Sequence, residues 1–462
     1  MAPTAPSSSG PSDAIQAWGG DAPCLESVAD LLALHRRWPG RYPHLLESAL
    51  RGTPQARYSI LFAFPRDLLV LESMDRSPDF LHRLDACWHR ERIERPPGDP
   101  ERLPFRGGWF LFLGYELAGQ VEPVLNLPSD PCGLPVAFAQ RFPCAMVVDH
   151  ALARTYLVAE PGHENALEQM RADLASLDAM RPPPPVPWPE SLDEDPPQRY
   201  LDGVARIIRY IRDGDVFQVN LSRAWRARLG EDIAAADLYD RLRGCNPAPF
   251  AALATLPGGQ IISSSPERLV RVRGDRVDTR PIAGTRPRGA RLEADRALAT
   301  QLLGNAKERA EHIMLLDLER NDLGRLCRPG SIRVDELMTL ETYPHVHHIV
   351  SNVTGRLRAE VSPGEVIRAV FPGGTITGCP KVRCMEIIAE LEGQGRGAYT
   401  GSLGYLNRDG DMDLNILIRT LVQQGRELRF RTGAGIVADS DPLRELEETR
   451  HKAEGLRRML VS

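Results

Sequence analysis

The residues best equipped for chemistry are three carboxylates in the second half of the chain, Glu267, Glu311 and Glu448. Hydrophobic spacing predicts a helix over 307–320 in which Glu311 shares a stripe with Leu315 and Leu318, at i, i+4 and i+7, so its side chain points inward. A carboxylate withdrawn from water needs a cation or a metal beside it. Glu448 falls on a C-terminal helix started by Asp441 and Pro442, one turn before Lys452; the plain alternative is an exposed ion pair worth about 0.3–0.5 kcal/mol. Glu267 follows Ser263-Ser264-Ser265-Pro266 at the end of an apolar strand, where a surface carboxylate in a turn is the ordinary case. His345, His347 and His348 invite a metal, but in a strand the first two face one way and His348 the other, so they do not converge. Arg419 suits a carboxylate ligand, which a guanidinium grips with two parallel hydrogen bonds. On its strand it shares a face with Asp413 and Asn415, and pairing with Asp413 is the structural alternative.

Two glycine-rich stretches complete the set. From Phe371 to Lys381 three glycines, Thr375 and Thr377 lead into Pro380, after which Val382, Met385 and Ile388 recur on one helical face. Close-approaching amides, the partial positive charge of a helix start and two hydroxyls fit a carboxylate or phosphate, although a simple helix-entry turn fits too. Lys381, a cation in the first turn, opposes the helix dipole and calls for a nearby anion. Gly433 and Gly435 would let backbone amides form a second anion nest.

The elements that position these residues read as strands over 58–64, 109–115, 145–148, 260–264, 269–272, 348–353, 398–407 and 412–422, the last two joined by an Asp409-Gly410 hairpin turn. Helices fall between them, one over 200–212 with Val204, Ile207, Ile208 and Ile211 on one face, another opened by the capping box Ser362-Pro363-Gly364-Glu365. Long hairpins with interspersed helices argue for α+β, not a doubly wound parallel sheet. Residues 1–23, rich in Ser, Pro, Gly and Ala, read as a disordered tail, and 24–180 as an N-terminal region. Residues 181–198, with eight prolines, read as a stiff linker to a C-terminal domain over 199–462.

The 462 residues are ample for a large core, and 42% hydrophobic with 26% charged residues is the balance of a soluble globular protein. A net charge of −5 without a basic block speaks against a nucleic-acid partner. The eight cysteines form no Cys-x-x-Cys pair, so neither zinc nor a redox dithiol is indicated. No apolar run reaches membrane-helix length and no signal peptide opens the chain, so a cytoplasmic, membrane-independent protein is expected.

From about Tyr200 onward the chain resembles the ammonia-using chorismate enzymes, the large subunits of aminodeoxychorismate synthase and anthranilate synthase, relatives of isochorismate and salicylate synthases. The resemblance rests on the 371–381 loop, Gly214 to Leu221, Ser264 to Arg268, Pro281 to Thr285, Glu311 to Asp322 and Gly433 to Val437, in one order. It implies two large, mainly antiparallel sheets packed as a sandwich with helices outside, the N-terminal region being a non-catalytic half wrapped around the catalytic one. It implies that Glu311 and Glu448 bind Mg²⁺, which holds the ring carboxylate of chorismate, and that Glu267 is general acid and base for the departing C4 hydroxyl. His348 matches the family's active-site histidine. Gly284, Thr285, Thr375, Tyr399, Arg419, Gly433, Gly435 and Lys452 fall on substrate-binding positions. Leu45 to Ser48 is similar to the element with which these enzymes hold tryptophan, Ser48 being the effector residue, and a helix turn with a polar cap is the alternative.

Ala283 stands where better-known aminodeoxychorismate synthases carry a lysine that attacks C2 of chorismate, so amination here needs free ammonia, supplied by a separate glutaminase subunit. Alanine is usual in anthranilate synthases, yet Gln218-Val219-Asn220-Leu221, Asn246 to Phe250, Gly373 to Gly378 and Gly401 to Gly404 look more like aminodeoxychorismate synthases, a subgroup of which has this alanine. The balance favours component I of aminodeoxychorismate synthase, a transferase of 4-aminobenzoate and folate biosynthesis. Anthranilate synthase component I is the alternative, and a non-catalytic tryptophan-binding or assembly subunit a second. The lysine base of the water-using relatives is missing near Val219.

Overall fold

The computed structural model describes residues 24–50, 56–74, 78–94, 103–179, 189–289, 291–342 and 346–461. The expected tail over 1–23, His345 and most of the proline-rich segment lie outside the described residues.

Alternation of apolar side chains builds the core. In the strand Tyr58–Ala63, Ile60 and Phe62 point to one side and Leu61 and Ala63 to the other; in Gly108–Leu113, Phe110 and Phe112 oppose Trp109, Leu111 and Leu113. Ile60, Phe62, Phe110, Phe112, Ile261 and Leu403 meet in one central cluster contributed by both sheets, which makes the sandwich. The outer faces are covered by helices: Leu31–Arg37, Ala235–Cys245 and Pro442–Val461 on one sheet, Phe80–Glu91, Ala306–Gly324 and Pro363–Val370 on the other.

The two sheets have twelve and ten strands, and all their described pairings are antiparallel. Each takes strands from both ends of the chain. His44–Glu47 pairs with Phe250–Leu256 in the larger sheet, and Gly108–Leu113 with Ser402–Asn407 in the smaller. The described end of the proline-rich segment is not a free connector, since Pro189–Glu194 pairs with Gln218–Leu229 and a helix starts at Pro197. Among the described residues no helix is long and apolar enough to cross a membrane.

Several expectations change. The stretch 412–422 is two strands, Met412–Asn415 in the smaller sheet and Thr420–Gln424 in the larger, and Arg419, at φ +52°, sits in the crossover. It therefore shares no strand face with Asp413, whose carboxylate is taken by Arg268 at 2.9 Å. The strand expected over 398–407 begins only at Ser402, because Thr400 is at φ +63°. Ser48 follows the strand His44–Glu47 rather than capping a helix turn. In the helix Ala306–Gly324 the buried stripe runs through His312, Leu315, Leu316, Glu319, Asp322 and Leu323, so Glu311 lies on its flank, half-buried. The helices at 363–370 and 442–461 start as expected, with both hydrogen bonds of the Ser362 capping box formed and the Arg444 amide donating to Asp441, whereas the helix expected over 200–212 starts three residues earlier, at Pro197.

Candidate active site

Glu267 lies where three elements meet. It follows Gly259–Ser265, and the turn carries it under the glycine loop, where only 4% of it is exposed. The Thr375 hydroxyl donates to its Oε1 at 2.8 Å and the Ile282 amide donates to the carboxylate as well. Burial pushes its pKa up to about 7, against the pull of these donors and of the Arg419 and Lys452 charges. A buried carboxyl that takes and gives a proton near neutral pH is what general acid and base work requires.

The remaining residues gather around it. Ala283 and Gly284 follow Ile282, and the His348 ring is hydrogen-bonded to the Gly284 backbone. Burial, and next the Arg419 charge, lower its pKa to about 3, so the imidazole is neutral. His347, on the opposite strand face, is held by Asp295 and Thr342 at 2.9 Å each and takes no part. Thr285 pairs with His348 across strands, and its side chain lies outside the described part. Lys452 donates to the Gly433 carbonyl at 3.0 Å and pairs with Glu448 at 2.7 Å. Glu448 is about half exposed, so the ion-pair geometry expected from its spacing is present.

The glycine loop packs against the carboxylate helix. A side chain on Gly374 would displace the Leu318 side chain, and Glu319 Oε1 lies 3.6 Å from its Cβ position, so the bare glycine lets loop and helix approach closely. The anion that Lys381 calls for is in the protein: its ammonium meets Asp322 at 2.6 Å. Glu319, which the sequence reading passed over, is buried beside this pair with its pKa pushed up to about 8, first by burial and then by the Asp322 charge. Its place on the stripe of His312 and Leu315 was the available signal.

Gly433 and Gly435 lie within the regular strand Glu427–Ile436, not in the turn of alternating hand that a nest needs. Their bare face is covered instead: a Cβ on Gly433 would stand 2.8 Å from the Tyr399 hydroxyl and 3.0 Å from Asn220 Oδ1, and one on Gly435 would strike Gln218. Tyr399 is buried under the Arg396 guanidinium, which Glu392 holds at 2.6 Å. Behind it opens a small pocket lined by Trp225, Arg396, Tyr399 and Arg431, and without Glu267 or His348.

Glu311 stands one turn after Glu308, whose carboxylate would lie 2.7 Å from a Cβ on Gly284. Among the described residues no three His, Cys, Asp or Glu side chains form a ready-made metal site. Ser48 is buried between the backbones of Tyr58 and Pro249, and its hydroxyl donates to the Tyr58 carbonyl at 2.7 Å.

This assembly has close counterparts. Residues 48–458 match the family of chorismate binding enzymes. The chain belongs to that family. It is 43% identical over 371 residues to aminodeoxychorismate synthase component 1 of Bacillus subtilis, covering 77% of each chain. It is 49% identical over 387 residues to an anthranilate synthase component 1 of Haloarcula marismortui, covering 79% of this chain and 78% of the relative. Anthranilate synthase component I from Streptococcus pneumoniae superposes with a TM-score of 0.75 at 34% identity, over 88% of this chain and 93% of the other. The fold is that of chorismate-converting enzymes, α+β with two large antiparallel sheets, and the chain is a member of that enzyme group.

Proposed function

We propose that the chain aminates chorismate at C4 with free ammonia, giving 4-amino-4-deoxychorismate and water. The observation that carries this reading is Glu267, a buried carboxyl titrating at about 7 beside Ala283, with the Arg419 and Lys452 charges at hand for a dianion. Glu267 protonates the departing hydroxyl, and ammonia supplies the electron pair of the new C–N bond. Ala283 has no nucleophile, so nothing in that position forms a covalent intermediate. A separate glutaminase subunit is the source of ammonia, and a further enzyme must remove pyruvate to reach 4-aminobenzoate for folate.

Mg²⁺ keeps waters and completes its shell with substrate oxygens, so one or two protein carboxylates are enough to hold it. Glu311 and Glu448 would hold it, Glu448 exchanging its pair with Lys452. When bound, the ion would neutralise charge on the ring carboxylate. Tryptophan binding at Ser48 belongs to the same reading, in which the hydroxyl keeps its proton on the Tyr58 carbonyl and its lone pairs accept from the ligand.

Ala283 favours a second reading, anthranilate synthase component I. One assay separates the two: chorismate, Mg²⁺ and an ammonium salt, with products identified by mass. An aminated product that keeps the enolpyruvyl group, without pyruvate, supports the proposal. Anthranilate with pyruvate supports the second reading, and unreacted chorismate would make the chain a silent subunit.

A further inference from the structure

Asn220 is a buried polar side chain whose carbonyl oxygen has no partner among the described residues. On the strand Gln218–Leu229 its backbone is fully engaged, the amide donating to the Thr377 carbonyl at 2.9 Å and the carbonyl accepting from Arg396 at 2.8 Å. The side chain is 92% removed from solvent, given its 8% exposure, and its Oδ1 has no hydrogen-bond partner. Leaving such an acceptor unpaired is costly, so its place in the fold is accounted for by a ligand. It lies on the polar face shared with Gln218 and Ser222, against the bare surface of Gly433 and Gly435 and near the Tyr399 hydroxyl. The opposite face, through Val219, Leu221, Ala434 and Ile436, is packed under helices.

The ligand must donate. Chorismate carries two carboxylates, which only accept, and a C4 hydroxyl, whose protonation is the task of Glu267, held by Thr375 of the glycine loop. Ammonia brings three N–H donors and one lone pair. A carboxamide accepts one N–H while leaving the lone pair free, and it is too weak a base to activate water. We propose that Asn220 is a specificity-determining residue that accepts a hydrogen bond from the attacking ammonia and aims its lone pair at the ring. This rests on the amination reading above.

The test measures KM for chorismate and, with ammonium chloride as the nitrogen source, KM for ammonia, in the wild type, Asn220→Val and Asn220→Ser. Wild-type amination tests the underlying reading separately, because its failure removes that reading whatever the variants do. The expected result is a rise in the ammonia KM of Asn220→Val of about fivefold or more, with the chorismate KM within about twofold, and partial recovery in Asn220→Ser. The melting temperature of Asn220→Val stays equal or rises, since an unpaired buried acceptor has been removed. A rise confined to the chorismate KM, no change in either KM, or a lowered melting temperature with both constants unmoved would overturn the assignment.

Discussion

Replacing Thr375 by valine keeps the shape of the side chain and deletes the donor that meets Glu267 Oε1 at 2.8 Å. A hydrogen bond to a buried charged group is worth about 1.5–3 kcal/mol. One pKa unit corresponds to about 1.4 kcal/mol, so Glu267 in Thr375→Val titrates about one to two units above its value of about 7. Glu267 acts first as an acid, and its protonated form then persists to higher pH. The alkaline limb of kcat/KM for chorismate, followed by product formation with free ammonia held constant, therefore moves upward by the same amount. Stability gives an independent reading. The folded pKa lies above the unfolded value of 4.5, so the folded chain holds this proton longer, and the protein loses stability as pH rises from there through about 7. Loss of the donor harms only the charged form, so the variant unfolds like the wild type near about pH 5 and more easily above about pH 8. A limb that stays in place or moves towards acid, with a stability loss independent of pH, would refute the idea that Thr375 tunes this carboxyl.

Three further outcomes are expected. Glu311→Gln abolishes turnover with little loss of fold, since the residue is only half-buried on its helix; normal activity at saturating Mg²⁺ would remove the metal role proposed for it. Asp322→Asn strands the Lys381 ammonium, whose side chain is 14% exposed, and costs about 3 kcal/mol in urea denaturation, so an unchanged midpoint would show that the pair carries no weight. In Arg396→Met the Glu392 carboxylate loses its nearest cation. Burial works against its charge but is outweighed by Arg396 and Arg431, so its folded pKa is below 4.5 and its stabilisation is lost as pH falls through that lower value. Acid unfolding followed by circular dichroism then begins at higher pH in the variant, and an identical acid midpoint would contradict this.

What the sequence carried well was local. Alternation in 58–64 and 109–115, the Ser362 capping box and the Asp409-Gly410 turn each declare themselves within a few residues, and the structure has them. What it hid depends on partners far along the chain. No glycine or proline marks the break after Asn415, because the chain leaves one sheet for the other with Arg419 in a left-handed conformation. The partner of Lys381 is 59 residues away, and that of Asp413 is Arg268. The buried stripe over 307–320 lies one position from the expected one, with Glu319 inside it and Glu311 on its flank, because a run with apolar residues at 313, 314, 315, 316 and 318 does not single out one face. The glycine pair at 433 and 435 looked like a nest because two glycines one residue apart suit both a turn and a crowded strand, and only the neighbours decide.

The interleaving of both sheets bears on how the chain is made. On a ribosome the strand Gly108–Leu113 emerges almost three hundred residues before Ser402–Asn407, beside which it ends, and until then one of its edges is bare. The N-terminal half cannot finish itself and wait, so the nascent protein must keep hydrophobic strands out of trouble until synthesis is nearly over. Chaperone engagement during translation and poor solubility of fragments cut between the halves are the outcomes expected from this topology.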